Sequence, residues 1–160
     1  VLYIGLMMTE QGPKVLEYNI RLGDPEAQVI LPRIKNNMAE LFEAAVFGKL
    51  HHHQIEYDKN VSMTVIMASG GYPGDYIKGI PIKGLDQIPN NITVYHAGTK
   101  LDNNQIVTNG GRVLAVTSKA ENLNKARELV YAAIPKIQFQ NSFYRKDIAL
   151  KAMKLLKDNH

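Results

Sequence analysis

The sequence of 160 residues contains no cysteine, and this absence excludes several chemistries at once. Disulfide bonds, cysteine-ligated zinc sites and thiol nucleophiles all require that side chain. The lack of disulfides agrees with a reducing compartment, and we expect a cytoplasmic protein. No apolar run approaches the roughly 18 residues that a membrane-spanning helix needs, so we expect no membrane partner.

Basic runs, aromatic platforms, internal repeats and low-complexity segments are also missing from the sequence. RNA recognition combines aromatic side chains with a basic surface, so we expect no nucleic-acid partner. The net charge of +4 is a mild excess that suits phosphate-bearing substrates. The chain has no signal peptide and begins at Val1, and we therefore expect a fragment of a longer protein.

Alternating residues from Val15 to Leu22 predict a β-strand with two unlike faces. One face is apolar and suited to a core, and it comprises Leu16, Tyr18, Ile20 and Leu22. The other carries a carboxylate, a carboxamide and a guanidinium in a row: Glu17, Asn19 and Arg21. Neighbours on one face lie roughly 6.6 Å apart, so the oxygens of Glu17 and Asn19 can converge on a cation such as Mg²⁺. Arg21 follows where its guanidinium can hold an anion.

The same alternation also fits an edge strand whose polar face only meets solvent. Upstream, the apolar residues 1–9 and the turn cluster Glu10–Pro13 predict an antiparallel hairpin with this strand. Downstream, Gly23 allows a sharp turn. Asp24 then predicts a helix N-cap, with Pro25 at the first helical position.

The remaining pattern predicts helices and strands in an α+β order. Helices are predicted at 37–48, at 122–134 and from Arg145 onward, and strands at 62–69, 78–85, 93–99, 105–108, 112–118 and 136–139. The first of these helices is expected to bury Met38, Leu41, Phe42, Ala45 and Val46. His51–His53 point different ways and predict a solvated loop in place of a metal site. Gly70–Gly74 predicts a tight turn, because no Lys-Ser/Thr pair follows as in phosphate loops.

The segment Leu16–Gln28 resembles the signature of the phosphoribosylamine–glycine ligase family, ATP-grasp enzymes of purine biosynthesis. Further segments are similar to that family in the same order: Leu2–Met7, Gly71–Gly74, His96–Lys100, Thr108–Leu114 and Tyr144–Ile148. Leu22 and Ala27 depart from the Phe and Thr that other members often carry. The resemblance implies that residues 1–50 end an ATP-grasp domain as a hairpin plus helices. Residues 51–160 would form a small, mostly antiparallel α+β carboxy-terminal domain.

The family's reaction joins glycine to 5-phosphoribosylamine, with ATP hydrolysed to ADP and phosphate through a glycyl phosphate. The resemblance implies that Glu17 and Asn19 ligate Mg²⁺ or Mn²⁺ at the ATP phosphates. It also implies a catalytic role for Arg21, which would neutralise charge near the glycine carboxylate and the transferred phosphoryl group.

Substrate binding is the role that the resemblance implies for a second set of residues: Asp24, Lys100, Gly110, Gly111 and Arg112. Asp24 would face the substrate amine, although a role as a helix cap alone fits its position too. The others would hold the 5-phosphate, since amides beside glycine and a basic head make an anion site. Solvated loop charges are the alternative for Lys100 and Arg112. The roles of His96, Arg145 and Asp147 stay open.

The adenine pocket, its lysines, the glycine-rich lid and the amino-terminal substrate domain lie upstream in the family. We therefore expect the missing amino-terminal part to be a partner of this chain, and the isolated chain to be inactive. Two alternatives remain: another ATP-grasp carboxylate–amine ligase, and a non-catalytic binding or assembly module that kept the fold. The segment Gly23–Glu26 argues against the first, and the intact site residues argue against the second.

Overall fold

A computed structural model of the chain describes residues 1–158, and its strands form three antiparallel sheets. The strands are β1 (Tyr3–Thr9), β2 (Gly12–Asn19), β3 (Val61–Ala68), β4 (Ile92–His96), β5 (Thr99–Asp102), β6 (Gln105–Thr108) and β7 (Arg112–Ala120). The helices are α1 (Ala27–Ile30), α2 (Met38–Val46), α3 (Leu123–Ala133) and α4 (Leu150–Asp158). Short 3₁₀ turns cover Leu31–Arg33, Leu50–His52, Leu85–Gln87 and Ile134–Lys136. The predicted α+β class with antiparallel sheets is confirmed.

The central sheet has the order β3-β7-β4, with β7 in the middle. Helix α3 packs against this sheet, and α1 also contacts β3 and β7. Because β7 is covered on both sides, residues 113–116 are completely buried. Asn122 caps α3 by accepting a hydrogen bond from the Lys125 amide at 2.8 Å, as predicted from the sequence.

Strands β1 and β2 form the predicted hairpin, but β2 ends earlier than expected. Tyr3 pairs with Asn19, so residues beyond Asn19 have no partner on β1 and leave the strand. A register shift after Gly5 leaves Leu16 as an extra residue and interrupts the alternation. The prediction that the strand continues to Leu22 is wrong, and Arg21 lies beyond it.

Two faces that were expected to be core are exposed. Leu16, Tyr18 and Ile20 are 64%, 66% and 92% exposed, because no layer within residues 1–158 covers the two-stranded sheet. Helix α2 buries only Leu41 and Ala44. Of its other predicted core residues, Met38 is half-buried, and Phe42, Ala45 and Val46 are exposed because no element within residues 1–158 covers them.

Two helix starts were also predicted wrongly. Helix α1 begins at Ala27 and receives no side-chain cap, so Asp24 is not its N-cap. Helix α4 begins at Leu150 and not at Arg145, because side chains of α3 bind the carbonyls of Arg145, Lys146 and Ile148. Those carbonyls are thus engaged outside any helical turn.

Shorter features follow the sequence more closely. Asn37 caps α2 by accepting from the Ala39 amide at 3.0 Å, and Gly70–Gly74 contains the predicted turn. Residues 78–85 and 136–139 form single bridges in place of strands, Pro81 to Val107 and Lys83 to Gln138. His51–His53 are exposed, as predicted. No helix in residues 1–158 has the length and apolar character to cross a membrane.

Candidate functional site

The loop after β2 meets the start of β7 through one pair of side chains. The Arg112 guanidinium donates through Nη1 to the Asp24 carbonyl at 2.8 Å, and its Nη2 lies 3.1 Å from Asp24 Oδ2. The two residues are 88 positions apart in the chain, and both side chains are roughly two-fifths exposed. The structure therefore brings together two of the residues predicted from the sequence to bind substrate.

Asp24 is oriented by a second contact, from a residue that the sequence analysis missed. Gln28 Nε2 donates to Asp24 Oδ1 at 2.9 Å, so each carboxylate oxygen has its own donor. The spacing of four residues was the available signal, because such pairs are neighbours on a helical turn. The alternative that Asp24 acts only as a helix cap is excluded, since α1 begins at Ala27.

Glycines bring two backbone segments into direct contact beside Arg112. The amide of Gly98 donates to the Arg112 carbonyl at 2.9 Å, and that of Asn109 donates to the Gly98 carbonyl at 2.7 Å. A Cβ on Gly98 would lie 2.6 Å from both the Arg112 carbonyl oxygen and the Gly110 Cα. Only glycine permits this approach, which sets the position of the predicted phosphate loop.

The loop of Gly110 and Gly111 is held by two residues that the sequence analysis did not single out. Ser69 is buried, and it donates through Oγ to the Gly110 carbonyl at 2.9 Å and through its amide to the Gly111 carbonyl at 2.8 Å. The Tyr72 ring lies against Gly111, where a Cβ would overlap it. The turn Gly70–Gly74, which directly follows Ser69, thus contacts the loop of Gly110 and Gly111.

Lys100 and His96 form contacts within their own part of the fold. Lys100 lies in β5, and its ammonium is 3.4 Å from the Asp102 carboxylate in the same hairpin. The His96 ring is 3.0 Å from the Thr99 hydroxyl. A shared phosphate contact between Lys100 and Arg112 therefore stays a prediction.

Glu17 and Asn19 lie on one face of β2, opposite Gly5 and Tyr3. The Glu17 side chain runs over Gly5, where a Cβ would be 3.0 Å from Glu17 Cγ. A carboxylate and a carboxamide on an open face fit Mg²⁺ or Mn²⁺, which use few protein oxygens and keep other positions for water and phosphate. No group of three or more acidic or histidine side chains in residues 1–158 could form a larger metal cage.

Arg21 is separated from that row. It lies after the end of β2, it is exposed, and its Nη1 donates to the Leu22 carbonyl at 2.9 Å. The expected line of three polar groups on one strand is therefore reduced to Glu17 and Asn19. A catalytic role for Arg21 would require it to reach the substrate from the loop.

Tyr3 links the hairpin to the loop that carries Asp24. Its hydroxyl donates to Glu26 Oε1 at 3.1 Å. This hydrogen bond raises the pKa of Tyr3, with smaller contributions from burial and from the charges of Glu26 and Glu17. The phenol therefore stays protonated and remains a donor at neutral pH.

A cleft of about 260 Å³ lies beside Arg112. Its walls are mostly apolar, and Pro25, Ile66, Tyr72 and Phe143 contribute to them. Arg112 and Arg145 add two cationic groups. The combination suits a small ligand with an anionic end.

Comparison with known proteins gives two family matches. Residues 62–151 match the phosphoribosylglycinamide synthetase C domain, and residues 1–27 match the ATP-grasp (A) domain of the same synthetase. The phosphoribosylamine–glycine ligase of Caldanaerobacter subterraneus subsp. tengcongensis is 48% identical over 149 residues, which cover 93% of this chain and 36% of that protein. The human trifunctional purine biosynthetic protein adenosine-3 is 45% identical over 159 residues, 98% of this chain and 16% of that protein.

A solved structure agrees with these relatives. The crystal structure of phosphoribosylamine–glycine ligase from Thermotoga maritima aligns with a TM-score of 0.71 and 34% identity, over 91% of this chain and 36% of that one. The chain thus spans about a third of the length of the single-function ligases that it matches.

The contact at Gly98 predicts a strong penalty for an added methyl group. We expect Gly98→Ala to lower the free energy of unfolding by about 3 kcal/mol, because backbone atoms cannot yield to the new Cβ. Gly74→Ala is the control, since its Cβ would meet a single carbonyl oxygen at 3.2 Å, and it should cost under about 1 kcal/mol. Urea unfolding of both variants measures the difference, and equal losses would contradict the packing described here.

Proposed function

The chain belongs to the phosphoribosylglycinamide synthetase family, and from this premise we propose that it serves in the ATP-dependent ligation of glycine to 5-phosphoribosylamine. The glycine carboxylate would first be phosphorylated by ATP to glycyl phosphate and ADP. The amine of phosphoribosylamine would then attack the glycyl carbonyl and release phosphate. The first step is needed because a carboxylate is a poor electrophile.

The pairing of Asp24 with Arg112 is the observation that carries this proposal. Asp24 lies within the stretch that matches the ATP-grasp domain model, and Arg112 lies within the stretch that matches the C domain model. The contact joins the loop that follows the hairpin bearing Glu17 to the start of β7, and Pro25 and Arg112 both line the cleft beside it. Phosphoryl transfer depends mainly on positioning and charge neutralisation, and this arrangement supplies groups for both.

We assign metal binding to Glu17 and Asn19, with Mg²⁺ or Mn²⁺ as the ion and ATP as the co-substrate. When bound, such an ion supplies positive charge that offsets the charge of the transferring phosphoryl group. Their place on one open face of β2 supports the assignment. Arg21, in the loop beyond the strand, would add positive charge near the glycine carboxylate.

We assign binding of phosphoribosylamine to Asp24, Lys100, Gly110, Gly111 and Arg112. The Asp24 carboxylate, held by Gln28 and Arg112, can accept hydrogen bonds from the substrate amine. Within residues 1–158 neither the half-buried Gly110 nor the buried Gly111 donates its amide to a hydrogen bond, and backbone amides of this kind can bind an anion. Lys100 would have to leave Asp102 to join them.

We further propose that residues 1–50 belong to the ATP-grasp domain of the ligase and residues 51–160 to its carboxy-terminal domain. The hairpin exposes apolar side chains, among them Leu16, Tyr18 and Ile20. These would pack against the part of the ligase that this chain does not span. The reaction's soluble substrates and the cysteine-free sequence favour the cytoplasm.

A chimeric ligase provides the assay for the metal assignment. In it, this sequence replaces the 149 matching residues of the Caldanaerobacter enzyme. We expect the chimera to make glycinamide ribonucleotide, and Glu17→Gln to lower its kcat by about a hundredfold or more, because the carboxylate charge at the metal is lost. Glu10→Gln, in the exposed turn of the hairpin, is the control. Activity of Glu17→Gln near that of the unchanged chimera would refute the assignment.

The 160 residues alone should not catalyse the reaction. Within the family the adenine pocket lies in the part of the ligase that precedes this region, so we expect neither tight ATP binding nor ligase turnover. Calorimetric titration with ATP and an assay for ADP release measure both. Turnover above the background of a Glu17→Gln chain would contradict the expectation.

A further inference from the structure

The segment 143–148 has no regular secondary structure, yet α3 holds it firmly. Arg127 donates through Nη2 to the Lys146 carbonyl at 2.7 Å and through Nε to the Ile148 carbonyl at 3.2 Å. Tyr131 donates its hydroxyl to the Arg145 carbonyl at 2.7 Å. The Arg127 guanidinium also lies 4.4 Å from the centre of the Tyr131 ring, so the two holding groups support each other.

The other end of this segment is joined to the central sheet. Phe143 and Ala68 exchange two backbone hydrogen bonds of 2.9 and 3.0 Å, and Ala68 in turn pairs with Arg112. Adjacent strands lie about 4.8 Å apart, so the backbone of Phe143 is roughly 10 Å from that of Arg112. Arg145 and Arg112 can therefore reach one ligand, and both line the same cleft.

The Arg145 guanidinium has one nitrogen that is not engaged by Asp147. Its Nε and Nη2 bind the two carboxylate oxygens of Asp147 at 2.9 and 2.6 Å, which leaves Nη1 without a partner in residues 1–158. This fork fixes the plane of the guanidinium, and the side chain is 70% exposed. The Asp147 contact also raises the pKa of Arg145, so the group is always a cation.

We propose that Arg145 is a further substrate-binding residue, which contacts the phosphate group of a sugar phosphate in the cleft together with Arg112. A phosphate dianion is matched by two guanidinium groups better than by one, and the apolar walls can receive the sugar. Arg127 and Tyr131 are positioning residues, because they act through the backbone of the segment. The identity of the sugar phosphate as phosphoribosylamine rests on the proposed function.

Kinetics of the chimeric ligase test this directly. We expect Arg145→Ala to raise KM for phosphoribosylamine about ten- to hundredfold, with KM for ATP and for glycine within about twofold, since one charged hydrogen-bonding contact is lost. Arg145→Lys should recover part of the loss. The matched control is Lys146→Ala, which removes the neighbouring exposed charge but keeps the backbone carbonyl that Arg127 binds. An unchanged KM for phosphoribosylamine, or an equal loss in Lys146→Ala, would overturn the proposal.

A binding measurement separates this proposal from the proposed function. The 160-residue chain is titrated with ribose 5-phosphate, and the amide resonances of Gly110, Gly111 and Arg112 are followed by NMR. We expect saturable shifts whose Kd weakens about ten- to hundredfold in Arg145→Ala. Equal Kd values, or no saturable shifts, would refute the role of Arg145. An inactive chimera with the expected shifts would instead refute the proposed reaction alone.

A double variant tests whether Arg127 acts by positioning Arg145. Because Arg127 is expected to act only through Arg145, adding Arg127→Ala to Arg145→Ala should raise KM for phosphoribosylamine no further. A multiplied effect in the double variant would show that Arg127 acts by another route. Thermal unfolding of each variant identifies any loss that comes from the fold.

Discussion

The contact between Asp24 and Arg112 is the interaction on which the candidate site depends. An exposed ion pair of this kind contributes little to stability, with typical values below about 1 kcal/mol. Its geometry is more informative, because one guanidinium nitrogen binds the backbone carbonyl and the other faces the carboxylate. The backbone of the loop after β2 is thereby placed against β7. The pair thus serves mainly to align two stretches that lie far apart in the sequence.

Arg112 can perform this alignment because its own backbone is held by contacts that need glycine. Gly98 approaches Gly110 and Arg112 at distances that leave no room for a side chain. Ser69, the residue after β3, donates hydrogen bonds to the carbonyls of Gly110 and Gly111, which directly precede Arg112. Each of these contacts involves a residue of the central sheet or one next to it, and the interior of that sheet is closely packed. The site is therefore built outward from the buried sheet, and the exposed hairpin is its least supported side.

Local patterns predicted much of the fold, and long-range contacts account for the errors. Asn37 and Asn122 cap the helices that follow them because capping depends on neighbouring residues alone. Asp24 was wrongly predicted to be a helix N-cap, because its side chain instead pairs with Arg112, which is distant in sequence. For the site, the sequence indicated Glu17, Asn19, Asp24 and Arg112 as candidates but not the pairing of the last two. The segment Gly71–Gly74 indicated the turn that contains Tyr72 but not its contact with Gly111, and nothing indicated Ser69, whose contacts arise only from the fold.

A double-mutant cycle on Asp24 and Arg112 in the chimeric ligase tests the central claim most directly. Asp24→Asn and Arg112→Ala are each expected to reduce kcat/KM for phosphoribosylamine at least about tenfold, because each removes a charged partner. If the pair acts as a unit, the double variant will be no worse than the poorer single variant. Losses that multiply in the double variant would contradict the account, because the two residues would then act independently.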